Sequence, residues 1–139
     1  MGTDFGPGSE LVVCFDHSDI HQGRLDDLKA GIRRLVTFVE AHEPQLVSYG
    51  FHLDEELGRL TVVAVHPDSE SLEMHLEIGV PEFRKLADMI TLRRIEVYGS
   101  IGYRARVLLE QKALLLGPAG VTVHERFSGF ARPATVGSI

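Results

Sequence analysis

The sequence predicts an α+β fold in which strands and helices follow the order β-α-β-β-α-β, with a further helix and strand at the end. Short runs rich in Val, Leu and Phe alternate with longer segments whose apolar residues recur every three or four positions. Pro and Gly separate several of these segments. With 139 residues, the chain has the length of one domain.

The first half of the chain is expected to supply two strands around one helix. Residues 10–16 form a short apolar run, typical of a buried strand, and the polar residues 16–23 are expected to be a loop. The helix covers about 24–41, where apolar residues recur at helical spacing, and a Glu-Pro pair at 43–44 ends it. Residues 45–53 alternate between apolar and polar side chains, as a strand with one buried face does.

A hairpin and a second helix follow. Residues 59–66 are predicted to form a strand, and the short connection at 54–58 makes it the antiparallel neighbour of the strand before it. Ser69 or Ser71 is expected to cap the next helix, which the Gly-Val-Pro sequence at 79–81 is expected to kink. Three further elements are expected: a strand at about 93–101, a helix at about 103–116 that ends at Gly117-Pro118, and a strand at 121–127.

This order is the ferredoxin-like arrangement, and it divides the chain into a core and its extensions. Residues 10–101 are expected to form the ferredoxin-like domain, and residues 102–130 a helix and strand that pack on the same domain or on its partner. Residues 1–9 are interpreted as a flexible leader, since they have neither a basic nor an apolar region, and residues 131–139 as a tail.

Strands that are apolar on both faces indicate a partner for the sheet. Leu11, Val13 and Phe15 alternate with equally apolar neighbours, so helices on one side of the sheet cannot cover them all. Both faces must therefore be covered. An identical sheet is the simplest cover, which predicts a closed homodimer.

Composition excludes several classes of protein. The net charge of −6 and the lack of a Lys or Arg run argue against a nucleic-acid partner. No apolar stretch is long enough to span a membrane, and the single Cys14 fits a reducing, cytoplasmic location without disulfides. No glycine-rich loop opens a helix after a strand, so neither a flavin nor a nicotinamide cofactor is expected.

Two short motifs of the second helix resemble those of a known family. Ser-Leu-Glu-Met-His at 71–75 followed by Val-Pro-Glu-Phe at 80–83, together with the element order, is similar to the antibiotic biosynthesis monooxygenase-like family over residues 10–101. The resemblance implies a dimeric α+β barrel with a small-molecule site, as in cofactor-free quinone-forming monooxygenases. In haem-degrading relatives a helix His near the position of His75 binds iron, but their pattern also uses Asn and Trp, which this sequence lacks.

The expected topology also brings polar residues together. With the first and third strands as parallel neighbours, residues 16–21 of the expected loop lie near His66 and Asp68, and His75 lies about two turns into the second helix from the same end. Such a cluster could bind a metal or carry out acid–base chemistry near neutral pH. Loop residues of this kind are more often solvated turn formers and helix caps, and no metal site is predicted.

The candidate site follows from these positions. The predicted acid–base groups are His75 and His66. The predicted substrate-binding residues are Tyr49, Tyr98, His52 and His17. Three hypotheses for function stay open: a cofactor-independent monooxygenase acting on an apolar aromatic or quinone-type compound held between sheet and helices, a non-catalytic binding or structural dimer, and a haem- or metal-binding protein.

Overall fold

The computed structural model describes residues 10–117 and 119–132 and has the expected order of elements. The expected leader at 1–9, Pro118 and residues 133–139 of the expected tail lie outside the described residues. The strands are β1 (Val12–Ile20), β2 (Ser48–Asp54), β3 (Arg59–His66), β4 (Ile90–Tyr98) and β5 (Gly120–His124). The helices are α1 (Leu25–His42), α2 (Ser69–Phe83) and α3 (Tyr103–Leu116), with a 3-10 turn at Arg84–Leu86 after α2.

The strands form one sheet in the order β2-β3-β1-β4-β5. All neighbours among the first four strands are antiparallel, and β5 joins the edge of β4 in parallel. The expectation that β1 and β3 run parallel is therefore wrong. α1 connects β1 to β2, and β3 lies between these two strands, so β3 must run against both of them.

The antiparallel register decides which ends of the strands meet. Val12 at the start of β1 pairs with His66 at the end of β3, whereas Asp19 pairs with Arg59 at the start of β3. His21, just beyond the end of β1, therefore lies at the opposite end of the sheet from His66. The expected meeting of Asp19 and His21 with His66 is wrong for this reason.

Four strands, β1, β2, β4 and β5, differ from their expected bounds. β1 continues to Ile20 through the expected loop, because its polar residues find partners on both sides: Asp16, for example, pairs with Val62 of β3 and with Ile95 of β4. β4 spans Ile90–Tyr98 rather than about 93–101, β2 spans Ser48–Asp54 rather than 45–53, and β5 spans Gly120–His124 rather than 121–127. Hydrogen bonds to neighbouring strands determine these ends, which local composition does not indicate.

α2 is capped differently from the expectation. The side chain of Asp68 accepts a hydrogen bond from the backbone N–H of Ser71 at 2.8 Å, so Asp68 rather than a serine is the N-cap. The helix continues through Gly79 and Pro81 to Phe83, and the kink expected at 79–81 stays a prediction. Pro81 lies in the last turn, where it removes only one hydrogen bond of the helix.

The helices pack on one face of the sheet and bury the core there. On β1 this face carries Val12, Cys14, Asp16 and Ser18, all of which are buried. Apolar side chains from the three helices complete the core: Leu28, Ile32, Leu35 and Val39 of α1, Leu72, Leu76 and Phe83 of α2, and Ala105, Leu109 and Leu116 of α3. The apolar stripes expected on these helices therefore cover one side of the sheet.

The other side of the sheet, called the open face below, is covered by no helix within the described residues. Val13, Phe15, Val63 and Val65 lie there and are partly buried. Tyr98 lies beside them and is 42% exposed. The sheet is thus apolar on both sides, as expected, and the homodimer that would cover the open face stays a prediction.

Candidate functional site

A small, largely buried cavity lies between the sheet and helices α2 and α3. Its volume is about 10 Å³, which is room for about one water molecule. Part of its wall is apolar, and six side chains with polar or ionisable groups also line it: Cys14, Asp16, Tyr49, His66, His75 and Lys112. Such groups are seldom buried together in a core, and this concentration makes the cavity the candidate functional site.

His75 is hydrogen-bonded to a buried carboxylate. It lies on α2, and its Nδ1–H donates to Oε1 of Glu43 at 2.7 Å. Glu43 is the first residue after α1, and its side chain is 0% exposed. Its second oxygen, Oε2, has no hydrogen-bond partner within the described residues. The carboxylate therefore holds the imidazole in one orientation and one tautomer, which leaves Nε2 as the atom that can accept a proton.

Gly79 makes room for this pair. It follows His75 by one turn of α2, and a Cβ atom at this position would lie 3.3 Å from both Glu43 Oε2 and His75 Cε1. These distances are tighter than most contacts of a Cβ atom, so a larger residue would press on both partners. The glycine in the sequence at 79–81 therefore allows close packing beside the pair.

His66 is the last residue of β3 and is fully buried. Its Nδ1 lies 2.8 Å from the hydroxyl oxygen of Ser71, and its Nε2 has no partner within the part of the chain described. Burial, and then the charges of His75 and Lys112, lower its pKa from 6.5 to about 3. His66 is therefore neutral near pH 7, and its free ring nitrogen can form a hydrogen bond with a ligand.

Tyr49 lines both the cavity and an open groove. Its ring packs edge-on against His75, with the ring centroids 5.2 Å apart, and its buried hydroxyl has no partner among the described residues. Burial, and then the carboxylates of Asp16 and Glu43, raise the pKa of Tyr49 well above its usual range, so the hydroxyl stays protonated. The groove has a volume of about 300 Å³ and lies between the end of α1 and β2.

A buried ion pair completes the cavity, and sequence reasoning missed it. Nζ of Lys112 on α3 lies 2.6 Å from Oδ2 of Asp16 on β1, and each side chain is less than a tenth exposed. The ring centroid of Phe83 lies 4.4 Å from the same Nζ. A sequence signal for the pair does exist: Lys112 stands on the apolar stripe of α3 between Leu109 and Leu116, and Asp16 continues the buried alternation of β1.

Three of the predicted substrate-binding residues lie away from the cavity. His17, His52 and Tyr98 are on the open face, so the sheet separates them from His75. His17 donates to Glu96 at 2.7 Å, and this bond lowers the pKa of the Glu96 carboxyl. The expectation that Tyr98 and His52 share a cavity between sheet and helices is wrong, because strand alternation points them to the other side. A role for these three residues in substrate binding stays a prediction.

The residues at the far end of β1 make contacts of their own. The two ring nitrogens of His21 lie 2.9 Å from the carbonyl oxygen of Asp88 and 2.7 Å from the hydroxyl of Thr91, and Arg93 donates to Asp19 at 2.7 Å. Among residues 10–117 and 119–132, no group of three or more His, Cys, Asp or Glu side chains is placed to hold a metal ion. No helix in these residues is long and apolar enough to cross a membrane.

Comparison with known proteins places the chain by its fold. No protein-family model and no curated protein matches it. The crystal structure of MupZ from Pseudomonas fluorescens is similar to this chain, with a TM-score of 0.70 and 20% identity over 91% of this chain and 98% of that chain. SnoaB from Streptomyces nogalater, a cofactor-independent oxygenase, matches with a TM-score of 0.56 and 16% identity over 67% of this chain and 95% of its own.

A protein from Caulobacter crescentus, named only provisionally as an antibiotic biosynthesis monooxygenase, is similar to the same extent. Its TM-score is 0.57 at 13% identity, over 68% of this chain and 92% of that chain. At these identities the shared property is the fold. The chain thus has the α+β fold of antibiotic biosynthesis monooxygenase-like proteins, and the expected resemblance is confirmed at that level. The match to MupZ covers more of this chain than the other two and so extends into the segment after residue 101.

Proposed function

We propose that the protein is an enzyme that binds a small apolar organic molecule beside the cavity and uses His75 as a general base. The observation that carries this proposal is the buried hydrogen bond from Nδ1 of His75, which lines the cavity, to Oε1 of Glu43, which lines the groove. A carboxylate that fixes one imidazole nitrogen makes the other a better proton acceptor. Tyr49 packs on the same ring and supplies a protonated hydroxyl beside it.

The finer proposal is a cofactor-independent monooxygenase acting on an aromatic or quinone-type compound. His75 removes a proton from an activated CH2 group, and the electron pair stays on the substrate as a conjugated carbanion. Dioxygen then oxidises this carbon to a carbonyl, and one oxygen atom leaves as water. One CH2 group and one O2 thus give one C=O group and one H2O. The shared fold with SnoaB and the partly apolar wall support this reaction.

Substrate entry requires a movement of Tyr49. An aromatic ring does not fit a cavity of about 10 Å³, whereas the neighbouring groove of about 300 Å³ is large enough. Val36, Val39 and Leu46 give this groove an apolar wall. In this proposal the ring of the substrate lies in the groove. Its reacting edge meets His75 when the ring of Tyr49 shifts, while the Tyr49 hydroxyl stays directed to the cavity.

Oxygen uptake tests the proposed chemistry. Purified protein is given a panel of hydroxylated aromatic ketones that carry a ring CH2 group activated by the carbonyl, and the products are identified by mass spectrometry. His75→Gln and Glu43→Gln should each lower the rate at least about a hundredfold, because general-base catalysis contributes about 10²–10⁴-fold. His124→Gln is the matched control, since this His is exposed on β5, and it should keep the wild-type rate. Wild-type turnover by a folded His75→Gln variant would remove the role assigned to His75.

Native mass spectrometry separates the proposal from its alternatives. The native mass of the freshly purified protein is compared with the denatured mass. A bound organic molecule supports a ligand site, and its mass narrows the substrate class. Bare chains together with inactivity toward the whole panel would favour a non-catalytic dimer. Bound haem or metal, visible as an absorbance band or as extra mass, would favour the third hypothesis.

We also propose that two copies pair through their open faces to form a cytoplasmic homodimer. Val13, Phe15 and Val63 give this face an apolar centre, and the lone buried Cys14 suits a reducing compartment. Light scattering at micromolar concentration should show a dimer, and Phe15→Asp should give monomers because it buries a charge in the interface. The control Leu57→Asp, on the hairpin loop, should remain dimeric. A monomeric wild type would contradict the proposal.

A further inference from the structure

Two groups in the cavity wall neither give nor accept the proton in the proposed transfer. They are the ion pair of Asp16 with Lys112 and the buried hydroxyl of Tyr49. Removing an ammonium and a carboxylate from water costs free energy, and a buried pair is often no more stabilising than apolar residues of the same size. A buried hydroxyl without a partner is also unfavourable. Polar groups that surround a cavity although their burial costs free energy indicate that the cavity binds a ligand.

The size and the donors of the cavity define this ligand. A space of about 10 Å³ holds one atom the size of oxygen rather than a ring. The ammonium of Lys112 has three N–H donors and gives one to Asp16. Tyr49 adds an O–H that is unpartnered within the described residues, and the neutral His66 adds an unpartnered Nε2. These groups suit a single oxygen atom that accepts hydrogen bonds.

We propose that this cavity is an oxyanion pocket, and that the substrate is a phenol or an enolisable ketone whose oxygen enters between Lys112 and Tyr49. Preorganised donors aimed at a developing negative charge stabilise it most where water is excluded. The inference rests on the proposed function for its reaction, but binding of the oxyanion can be tested without turnover.

The charges of the site balance during this step. Asp16 is paired with Lys112, Glu43 accepts from His75, and His66 is neutral. When His75 takes the proton of the substrate, an N–H bond forms on its ring and the electron pair of the broken bond stays on the substrate. Negative charge then appears on the oxygen beside Lys112, and positive charge appears on the ring beside Glu43. The net charge of the pocket does not change.

The experiment uses 4-nitrophenol as a probe, because its phenol and phenolate forms have different absorbance spectra. Affinity and the pKa of the bound probe are then measured together, over a series of pH values, with no reaction needed. The main variant is Asp16→Asn/Lys112→Met, which removes both charges and leaves neither one buried alone. Tyr49→Phe removes only the hydroxyl. The matched control is Lys85→Met, since Lys85 is an exposed lysine on the 3-10 turn.

We expect the wild type to bind the phenolate and to lower the pKa of the probe relative to water. The double variant should bind it at least about tenfold more weakly and raise the bound pKa by about one unit. Tyr49→Phe should weaken binding in the same direction, and Lys85→Met should behave as the wild type does. Circular dichroism checks each fold, and Tyr49→Phe decides the question if the double variant does not fold.

Two outcomes overturn the inference: a wild type that binds no phenolate, and variants that bind and ionise the probe as the wild type does. The result also distinguishes this inference from the proposed function. Phenolate binding that depends on Lys112, without oxygen uptake for any compound of the panel, would uphold the pocket and reject the monooxygenase. Oxygen uptake that His75→Gln abolishes and Asp16→Asn/Lys112→Met leaves intact would uphold the enzyme and reject the pocket.

Discussion

The buried neutral imidazole of His66 predicts a loss of stability in mild acid. Burial, and then the charges of His75 and Lys112, lower its folded-state pKa from 6.5 to about 3. The residue is 0% exposed, so solvent does not screen these effects. The unfolded chain therefore binds a proton at His66 below about pH 6.5, whereas the folded protein does so only near pH 3. This contribution to stability is present above pH 6.5 and is lost as the pH falls toward 3.

The two pKa values determine the size of the effect. One pKa unit corresponds to about 1.4 kcal/mol, so a gap of about 3.5 units (6.5 minus 3) limits the total loss to about 5 kcal/mol. Between about pH 7 and about pH 5 the expected loss is about 2 kcal/mol. That is a large fraction of the roughly 5–15 kcal/mol by which folded proteins are stable.

Urea unfolding at these two pH values, at one protein concentration, measures this loss. The free energy of unfolding of the wild type should fall by about 2 kcal/mol more than that of His66→Gln, which has no titrating group at this position. His52→Gln is the control, because His52 is exposed on β2, and it should follow the wild type. Equal losses in the wild type and His66→Gln would refute the reasoning.

Two further predictions concern the backbone of one turn and the buried thiol. Gly99 has a φ of +131°, and a Cβ atom there would lie 2.6 Å from the carbonyl oxygen of Leu11. Gly99→Ala should therefore lower the free energy of unfolding, measured in urea, by about 1–3 kcal/mol. Gly120→Ala is the control, because a Cβ there would meet open space, and it should be nearly neutral. Equal losses of stability in the two variants would contradict the predicted backbone strain at Gly99. Burial, and then Asp16, raise the pKa of the Cys14 thiol to about 12, so a thiol reagent at neutral pH should label Cys14 only as fast as the protein unfolds. Rapid labelling of folded protein would show that the thiol is accessible.

Local patterns were sufficient for the helices and for one hairpin. The expected bounds of α3 and β3 agree with the structure, and α1 differs by one residue at each end. Apolar spacing and a Pro or Gly stop act within a few residues, so one sequence contains them. The ends of β1 depend instead on pairing partners. Asp16 and Asp19 have the composition of a turn, yet they pair with Val62 and Arg59 far along the chain.

The candidate site was predictable in its residue types and not in its contacts. His75, His66 and Tyr49 do line one cavity, whereas their roles stay predictions. The partner of His75, Glu43, was read only as part of a helix stop, because nothing in the local pattern reveals a contact between residues 32 positions apart. The assumption of parallel strands placed Asp19 and His21 beside His66, although only Asp16 of the expected loop lines the same cavity as His66. A strand inserted between two others reverses its direction, and this constraint follows from topology rather than from composition.

The pairing of Asp16 with Lys112 joins two positions that are 96 residues apart in the chain. At a synthesis rate of about 5–20 residues per second, Asp16 is made roughly 5–20 seconds before its counterion. During that interval, packing β1 against α2 would bury a lone carboxylate at a cost of several kcal/mol. A chain that ends before α3 lacks both the counterion of Asp16 and the apolar residues that α3 adds to the core, Ala105, Leu109 and Leu116. We expect such a truncated polypeptide to be less compact, and more readily cut by proteases, than the complete chain.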